Sequence, residues 1–377
     1  MALQNFDPQQ FLDEVWQRKA TLIKGALPNF NCPLDGNDLA GLACEEGIDS
    51  RIIIETNDGW ELRNGPFDEA EFATLPKNKW TLLVQSVDHY LPDLADVLAE
   101  FRFIPRWRTE DIMVSYATDG GNVGPHYDQY DVFLIQASGQ RRWKIGGHCG
   151  PDTPLHPHPQ LKLLQEFNTE SEYLLKAGDI LYVPPGVAHW GVAEGDDCMT
   201  LSVGFRAPSE AELFSDFGDE VASFLDASQR YRDPALNASS NTGEISSEVH
   251  KHVKALLLKQ LDNDALIARW FGSMMTRVDD REELAGDHLD FDEFQLALDD
   301  GEIPQLRLGA RLAFDAQYLY ADGAAFAYPP DQANDVQALC QLECGQPISN
   351  FRSLSKEMLY ALYSSATLCF DEDDYDC

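Results

Sequence analysis

The sequence predicts an α+β protein built around an antiparallel β-sandwich or jelly roll, and three observations predict it. Between Ile112 and Phe205 the chain reads as short β-branched and aromatic runs separated by Gly and Pro, the pattern of antiparallel strands joined by tight turns. After Arg206-Ala-Pro208 the apolar spacing lengthens to that of amphipathic helices. The last third mixes helical stretches with one small hairpin, which suggests a separate compact α+β unit.

Taken in order, residues 6–24 read as a helix with Phe11, Leu12, Val15 and Trp16 on its apolar side, and residues 39–45 as a short one. Residues 51–55 and 60–63 flank Asn57-Asp58-Gly59, a hairpin signal. A strand at 80–87 and a helix at 91–101 complete a region that buttresses the next. The clearest central strands are 112–117, 132–136, 141–145, 180–183 and 199–205, with Gly139 turning the chain between the second and third. Residues 149–168 form a Pro-rich loop containing His156-Pro-His158. Helices follow at 210–229, 247–261 and 264–278, with a polar loop at 233–246. Residues 279–300 hold ten Asp or Glu against Arg281 alone and read as a linker merging into a helix. Strands at 306–314, 318–320 and 325–328, with a turn at Ala321-Asp-Gly323, precede helices at 336–342 and 356–367. The acidic tail 371–377 lacks the apolar residues needed to order it.

Charge is the unusual global feature. Lys and Arg number 28 against 64 Asp and Glu, a formal net charge of −36. Such a surface repels nucleic acid and anionic lipid and attracts basic macromolecules; a role in solubility alone is the competing reading. No run of apolar residues is long enough to span a membrane, and the first residues lack the basic and apolar regions of a secretory signal. Eight scattered cysteines with no Cys-x-x-Cys pair point to reduced thiols in a cytoplasm. Asn237-Ala-Ser239 matches a glycosylation sequon that such a compartment does not use.

The chemistry concentrates in residues 120–145. A Gly-rich turn leads to His126 and Asp128, two residues apart and so on one face of an extended segment. The run Gly178-Asp-Ile-Leu-Tyr-Val-Pro-Pro-Gly186 leads to His189, a candidate third ligand. Two His and one carboxylate hold a divalent metal from one side and leave open positions, whereas structural zinc takes four ligands rich in Cys. Alternation puts Arg141, Trp143 and Ile145 on one face of their strand and Arg142 with Lys144 on the other. The apolar companions make the Arg141 face the inner one.

The His-x-Asp pair, the distant His and the Gly-rich runs around them resemble the two cupin motifs, and their spacing is similar to that of the JmjC-type oxygenases. The stretches Gly124-Pro-His-Tyr-Asp-Gln-Tyr-Asp-Val-Phe133, 178–186 and Ser202-Val-Gly-Phe-Arg-Ala-Pro208 resemble the bacterial ribosomal oxygenases. That resemblance implies a double-stranded β-helix core, a helical dimerisation region and a C-terminal winged-helix-like domain. It divides the chain into 1–90 (N-terminal buttress), 91–208 (JmjC cupin domain), 209–278 (helical dimerisation) and 279–377 (acidic linker and winged helix). It implies Fe(II) on His126, Asp128 and His189, dioxygen, and 2-oxoglutarate as cosubstrate. Arg141 and Ser115 would grip the distal carboxylate, assisted by Thr200 or Ser202. The implied reaction hydroxylates the β-carbon of an arginine in large-subunit ribosomal protein sixteen, with succinate and carbon dioxide as coproducts. The expected partners are that basic protein and a second copy of the chain, in the cytoplasm, without nucleic acid or membrane. Tyr127, Gln129 and Asp119 are candidates for the mouth of the site. The alternatives are a JmjC enzyme acting on another protein or on a tRNA base, and a non-oxygenase metal-binding cupin.

Overall fold

Two long strands, each buried on both faces along one half and alternately along the other, hold the central region together. The computed structural model describes residues 3–57, 59–234, 242–278, 289–348 and 353–370. Its first nine strands are β1 (Thr21–Ile23), β2 (Ser50–Thr56), β3 (Gly59–Asn64), β4 (Trp80–Val84), β5 (Thr109–Ala117), β6 (Asp131–His148), β7 (Ser171–Lys176), β8 (Ile180–Val183) and β9 (Val187–Phe205). β6 and β9 run antiparallel from Asp131 opposite Phe205 to His148 opposite Val187. The first part of β6 also pairs with β8 and its second part with β7, while the last part of β9 pairs with β5. Both strands therefore pass from a large sheet, ordered β1-β8-β6-β9-β5-β4-β2-β3, into a small one made of β7, β6 and β9. That is the double-stranded β-helix.

Gly139 does not turn the chain. It lies inside β6, at φ +64°, where the register with β9 shifts on either side of Ser138. A glycine at positive φ serves a bulge as well as a hairpin. Here a Cβ would come within 2.8 Å of the Cys198 Cα, so the close approach of β9 also requires it. The bulge bends β6 from one sheet to the other without reversing it.

The N-terminal helix is shorter than its apolar spacing suggests. Asp7 caps Pro8–Glu14 by accepting from the Gln10 N–H, and the chain leaves the helix at Val15. The β-branched Thr21 and Ile23 then form β1 against β8. Phe11 and Trp16 pack on Phe133, Tyr182 and Phe205, covering the outside of the large sheet. Asp131, at the start of β6, is fully buried. It accepts from Tyr182 Oη at 2.6 Å, Gln17 Nε2 at 3.0 Å and Arg108 Nη2 at 3.3 Å. These bonds lock β6 immediately after the His-x-Asp segment.

Past β9, Ser209 and Glu212 form a capping box at the head of the helix Glu210–Phe224. Trp270, on the helix Asp264–Thr276, packs against Phe217 at 5.0 Å. The helix Ser247–Leu261 buries none of its residues and leaves Leu257 64 % exposed. The C-terminal unit packs the helices Phe291–Asp300, Ala333–Leu339 and Lys356–Ser364 against the three-stranded sheet Leu312–Phe314, Tyr318–Ala321 and Ala324–Ala327. Phe294, Leu319, Val336 and Leu362 form its core. The expected turn at Ala321-Asp-Gly323 is present. None of the described cysteines forms a disulfide, and no described helix is long and apolar enough to cross a membrane. Asp58 of the hairpin turn, the sequon, most of the acidic linker (279–288) and the tail 371–377 lie outside the described residues.

Asp88 and His89 sit at the seam between the jelly roll and the C-terminal unit, beside Gly309 and Arg311. Burial pushes the Asp88 carboxyl up to about 7 and the His89 imidazole down to about 4. The folded protein thus favours protonated Asp88, a contribution that fades as pH rises from about 4 to about 7. It also favours neutral His89, a contribution present above 6.5 and lost as pH falls toward 4. The slopes oppose, and folding moves a proton from one side chain to the other. Asp88→Asn is expected to leave the His89 slope alone, costing about 3 kcal/mol between pH 6.5 and about 4. Wild type should stay nearly level over that range; thermal melts across it check this.

Candidate metal centre and adjoining cavity

His126 and His189 are brought together by the backbone. Each donates its N–H to the other's carbonyl, at 3.1 and 2.8 Å, an isolated antiparallel bridge between the Gly-rich loop and the start of β9. Their rings lie 4.3 Å apart. Each ring uses Nδ1 on the carbonyl two residues back, Gly124 for His126 and Val187 for His189, both at 3.0 Å. The shared pattern puts the proton on Nδ1 and leaves the Nε2 lone pairs facing inward. Asp128 Oδ2 lies 3.9 Å from His126 Nε2 and 3.5 Å from His189 Nε2. The three ligand atoms all fall within 4.8 Å of one another, and no other such trio occurs among the described residues. Burial pushes the His189 imidazole well below its usual range, so it is a neutral nitrogen donor at physiological pH.

The Asp128 backbone is fixed by the Gly186 N–H, which donates to its carbonyl at 2.7 Å. Gly186 sits at φ +77°, and a Cβ there would come within 2.6 Å of the His148 ring. The Pro-Pro-Gly turn therefore brings the second motif against the first.

Arg141, Trp143 and Ile145 face the interior of the jelly roll and are buried, as alternation predicts. On the other face Arg142 pairs with Glu172 and Glu194. Arg141 Nη1 donates to Ser115 Oγ at 3.3 Å. Its Nε and Nη2 are buried with no hydrogen-bond partner, and no carboxylate pairs with it among the described residues. A buried guanidinium with idle donors is costly, and it fits a carboxylate brought by a ligand. The Trp143 ring lies between this cation and the metal centre, 5.9 Å from the Arg141 Cζ and 5.8 Å from the His189 ring. Thr200 and Ser202 are buried on the same inner face, with the Thr200 hydroxyl engaged by Gln136.

A cavity of about 600 Å³ opens beside this centre, lined by Asp111, Met113, Gln129, Tyr130, Ser202 and Gly204 among others. Asp111 Oδ2 accepts from the Ser86 N–H and hydroxyl; burial raises its pKa. Its Oδ1 lies against Gly204. Desolvation at the cavity wall, with the nearby Asp128 and Asp111 carboxylates, keeps the Tyr130 hydroxyl protonated. Of the expected mouth residues, Gln129 lines this cavity. Tyr127 instead donates to the Gly150 carbonyl. Asp119 is exposed at the far end of β5, where it accepts from the Gly195 N–H. No sequence motif marks Asp111 or Tyr130, although each alternates with a candidate residue: Asp111 with Ser115, Tyr130 with Asp128 and His126.

Residues 96–213 match the JmjC domain family, and residues 259–363 match the ROXA-like winged helix family. The chain is 34 % identical over 336 residues to the ribosomal protein uL16 3-hydroxylase of Escherichia coli K12, covering 87 % of each. It superposes on the X-ray structure of E. coli ycfD with a TM-score of 0.87 and 32 % identity, covering 98 % of this chain and 100 % of that one. A structure of E. coli YcfD with cobalt and 2-oxoglutarate gives a TM-score of 0.84 and 29 % identity over 98 % of this chain and 99 % of that one.

Proposed function

This chain belongs to the JmjC ribosomal oxygenases, and from that we propose that it is an Fe(II)- and 2-oxoglutarate-dependent oxygenase that hydroxylates the β-carbon of an arginine in ribosomal protein uL16. One observation carries the reading: an open-faced His-Asp-His trio backed, across Trp143, by a buried Arg141 with two idle donors. His126, Asp128 and His189 would hold the metal, and Arg141 with Ser115 the distal carboxylate of 2-oxoglutarate. Bound there with dioxygen, Fe(II) and 2-oxoglutarate supply the oxidising power to hydroxylate an unactivated C–H bond. The protein's work is positional. Neutral imidazoles and one carboxylate leave coordination positions open, the Arg141 fork orients the cosubstrate, and Val132, Leu134, Trp143 and Ile145 keep water from that wall.

The adjoining cavity suits a basic side chain. Asp111 offers an oxygen and Tyr130 a hydroxyl at its wall, and a net charge of −36 steers a basic ribosomal protein toward it. The proposed division is residues 1–90 as buttress, 91–208 as catalytic domain, 209–278 as dimerisation region and 279–377 as linker and winged helix. The exposed Leu257 and its neighbours Leu256 and Leu258 support burial against a second copy. The winged helix does not bind nucleic acid in this reading. Each cation among its described residues is paired with an acid: Arg307 with Asp322, Arg311 with Glu110, and Lys356 with Asp299. A ribosomal protein substrate supports a cytoplasmic location.

A single preparation tests the whole reading. With Fe(II), 2-oxoglutarate and uL16 it should form succinate and add the mass of one oxygen atom to an arginine. Light scattering should report two chains, and filter binding at low salt should retain no RNA. Absence of succinate would leave only a metal-binding cupin; succinate without the mass gain on uL16 would point to another substrate.

A further inference from the structure

Asn122 is 1 % exposed, and both ends of its amide are fully used. Its Oδ1 accepts from Trp60 Nε1 and Trp190 Nε1, each at 3.1 Å, and from the Gly124 N–H at 2.9 Å. Its Nδ2 donates to Glu55 Oε2 at 2.6 Å and to the Gly120 carbonyl at 3.1 Å. Three donors at one end and two acceptors at the other permit one orientation of the amide.

Each bond leads somewhere definite. Gly124 is the residue whose carbonyl accepts the hydrogen bond from His126 Nδ1–H. Trp190 follows His189 directly. Glu55 and Trp60 lie opposite one another on the β2–β3 hairpin, and Glu55 is itself held by Lys79 at 3.1 Å. One side chain thus joins the loop that carries His126, the strand that carries His189, and the hairpin at the edge of the large sheet.

We propose that Asn122 is a positioning residue that sets the separation and orientation of the two imidazoles, and so the affinity of the centre for its metal. The proposal rests on the reading of His126, Asp128 and His189 as ligands. A carboxamide suits the task because the position needs an acceptor for three donors and a donor for two acceptors. A carboxylate of the same shape keeps the first set but faces Glu55 with like charge.

The probe is Co(II) alone, titrated into the full chain, with its visible absorption bands and dissociation constant as readouts. Asn122→Asp is expected to weaken Co(II) binding about 10–100-fold, the range for groups that orient metal ligands, and to shift the bands. Trp190→Phe, which removes the indole N–H and its bond to Asn122 while keeping an aromatic side chain, should weaken it about 10-fold, the lower end of that range. Glu55→Gln combined with Asn122→Asp lets the introduced amide donate to the introduced carboxylate, and should recover wild-type affinity to within about 3-fold. Recovery in the pair would not follow from a loss of packing alone. Wild-type affinity and bands in both single variants overturn the proposal, as does a double variant that stays as weak as Asn122→Asp. Should Asn122→Asp not fold, Trp190→Phe decides alone. A wild-type protein that binds no Co(II) overturns the ligand reading itself, and the clamp with it.

Discussion

Asp128→Ala is expected to keep its fold and lose its reaction. The carboxylate meets no Lys or Arg among the described residues; its side-chain neighbours are His126, His189 and the Tyr130 hydroxyl. Its side chain is 23 % exposed, so removing it opens no sealed void. The backbone bond from Gly186 to the residue-128 carbonyl survives the change. The melting temperature without metal should therefore move by no more than about 1 °C, the equivalent of under about 1 kcal/mol. Metal binding should fall steeply, because Asp128 supplies the only negative charge in the trio. Losing about 4 kcal/mol of that binding weakens it about 10³-fold. Succinate formation from 2-oxoglutarate should drop at least as far. A variant that still turns over at a tenth of the wild-type rate would remove Asp128 from the centre. Calorimetric titration with Co(II), alongside a succinate assay at saturating Fe(II), separates lost affinity from lost turnover.

What could be read from the chain alone follows the physics of each feature. Period-two alternation is local, so the inward face of Arg141, Trp143 and Ile145 was legible, as was the pairing of His126 with Asp128. Gly139 was misread as a turn because positive φ serves a hairpin and a bulge equally; only the register with β9 distinguishes them. The overlong N-terminal helix has a similar cause. Its apolar spacing continues past Val15, but β8 offers residues 21–23 a free edge that no local signal announces. Asp111 and Tyr130 carry the right alternation, whereas loop geometry that no local pattern shows turns Tyr127 and Asp119 elsewhere. Asn122 was the least legible. Its partners Glu55, Trp60 and Trp190 lie more than sixty residues away in the chain, and no pattern in a Gly-rich turn marks the residue that will join them.

Arg141→Met should move stability and function in opposite directions. The guanidinium is buried, satisfied at Nη1 by Ser115 and idle at Nε and Nη2. Such a charge carries a desolvation penalty that one neutral hydrogen bond does not offset. Methionine is of similar length and apolar, and Trp143 beside it accepts an apolar neighbour. Replacing buried charge by hydrophobic volume is often neutral or stabilising by about 1–4 kcal/mol. A rise in melting temperature of at least about 2 °C is therefore expected for the variant without ligands. The cosubstrate tells the opposite story. A carboxylate placed against Nε and Nη2 would make a two-bond charged contact, and deleting one side of such a pair costs about 3–5 kcal/mol. That raises the KM for 2-oxoglutarate about 10²–10⁴-fold. Adding 2-oxoglutarate with Co(II) should raise the melting temperature of wild type and leave the variant near its ligand-free value. The two melts and one KM separate the explanations. If Arg141 were an ordinary structural residue, Arg141→Met would melt several degrees lower and bind cosubstrate normally. A stabilised variant with lost affinity is what a cation held in reserve for a ligand requires.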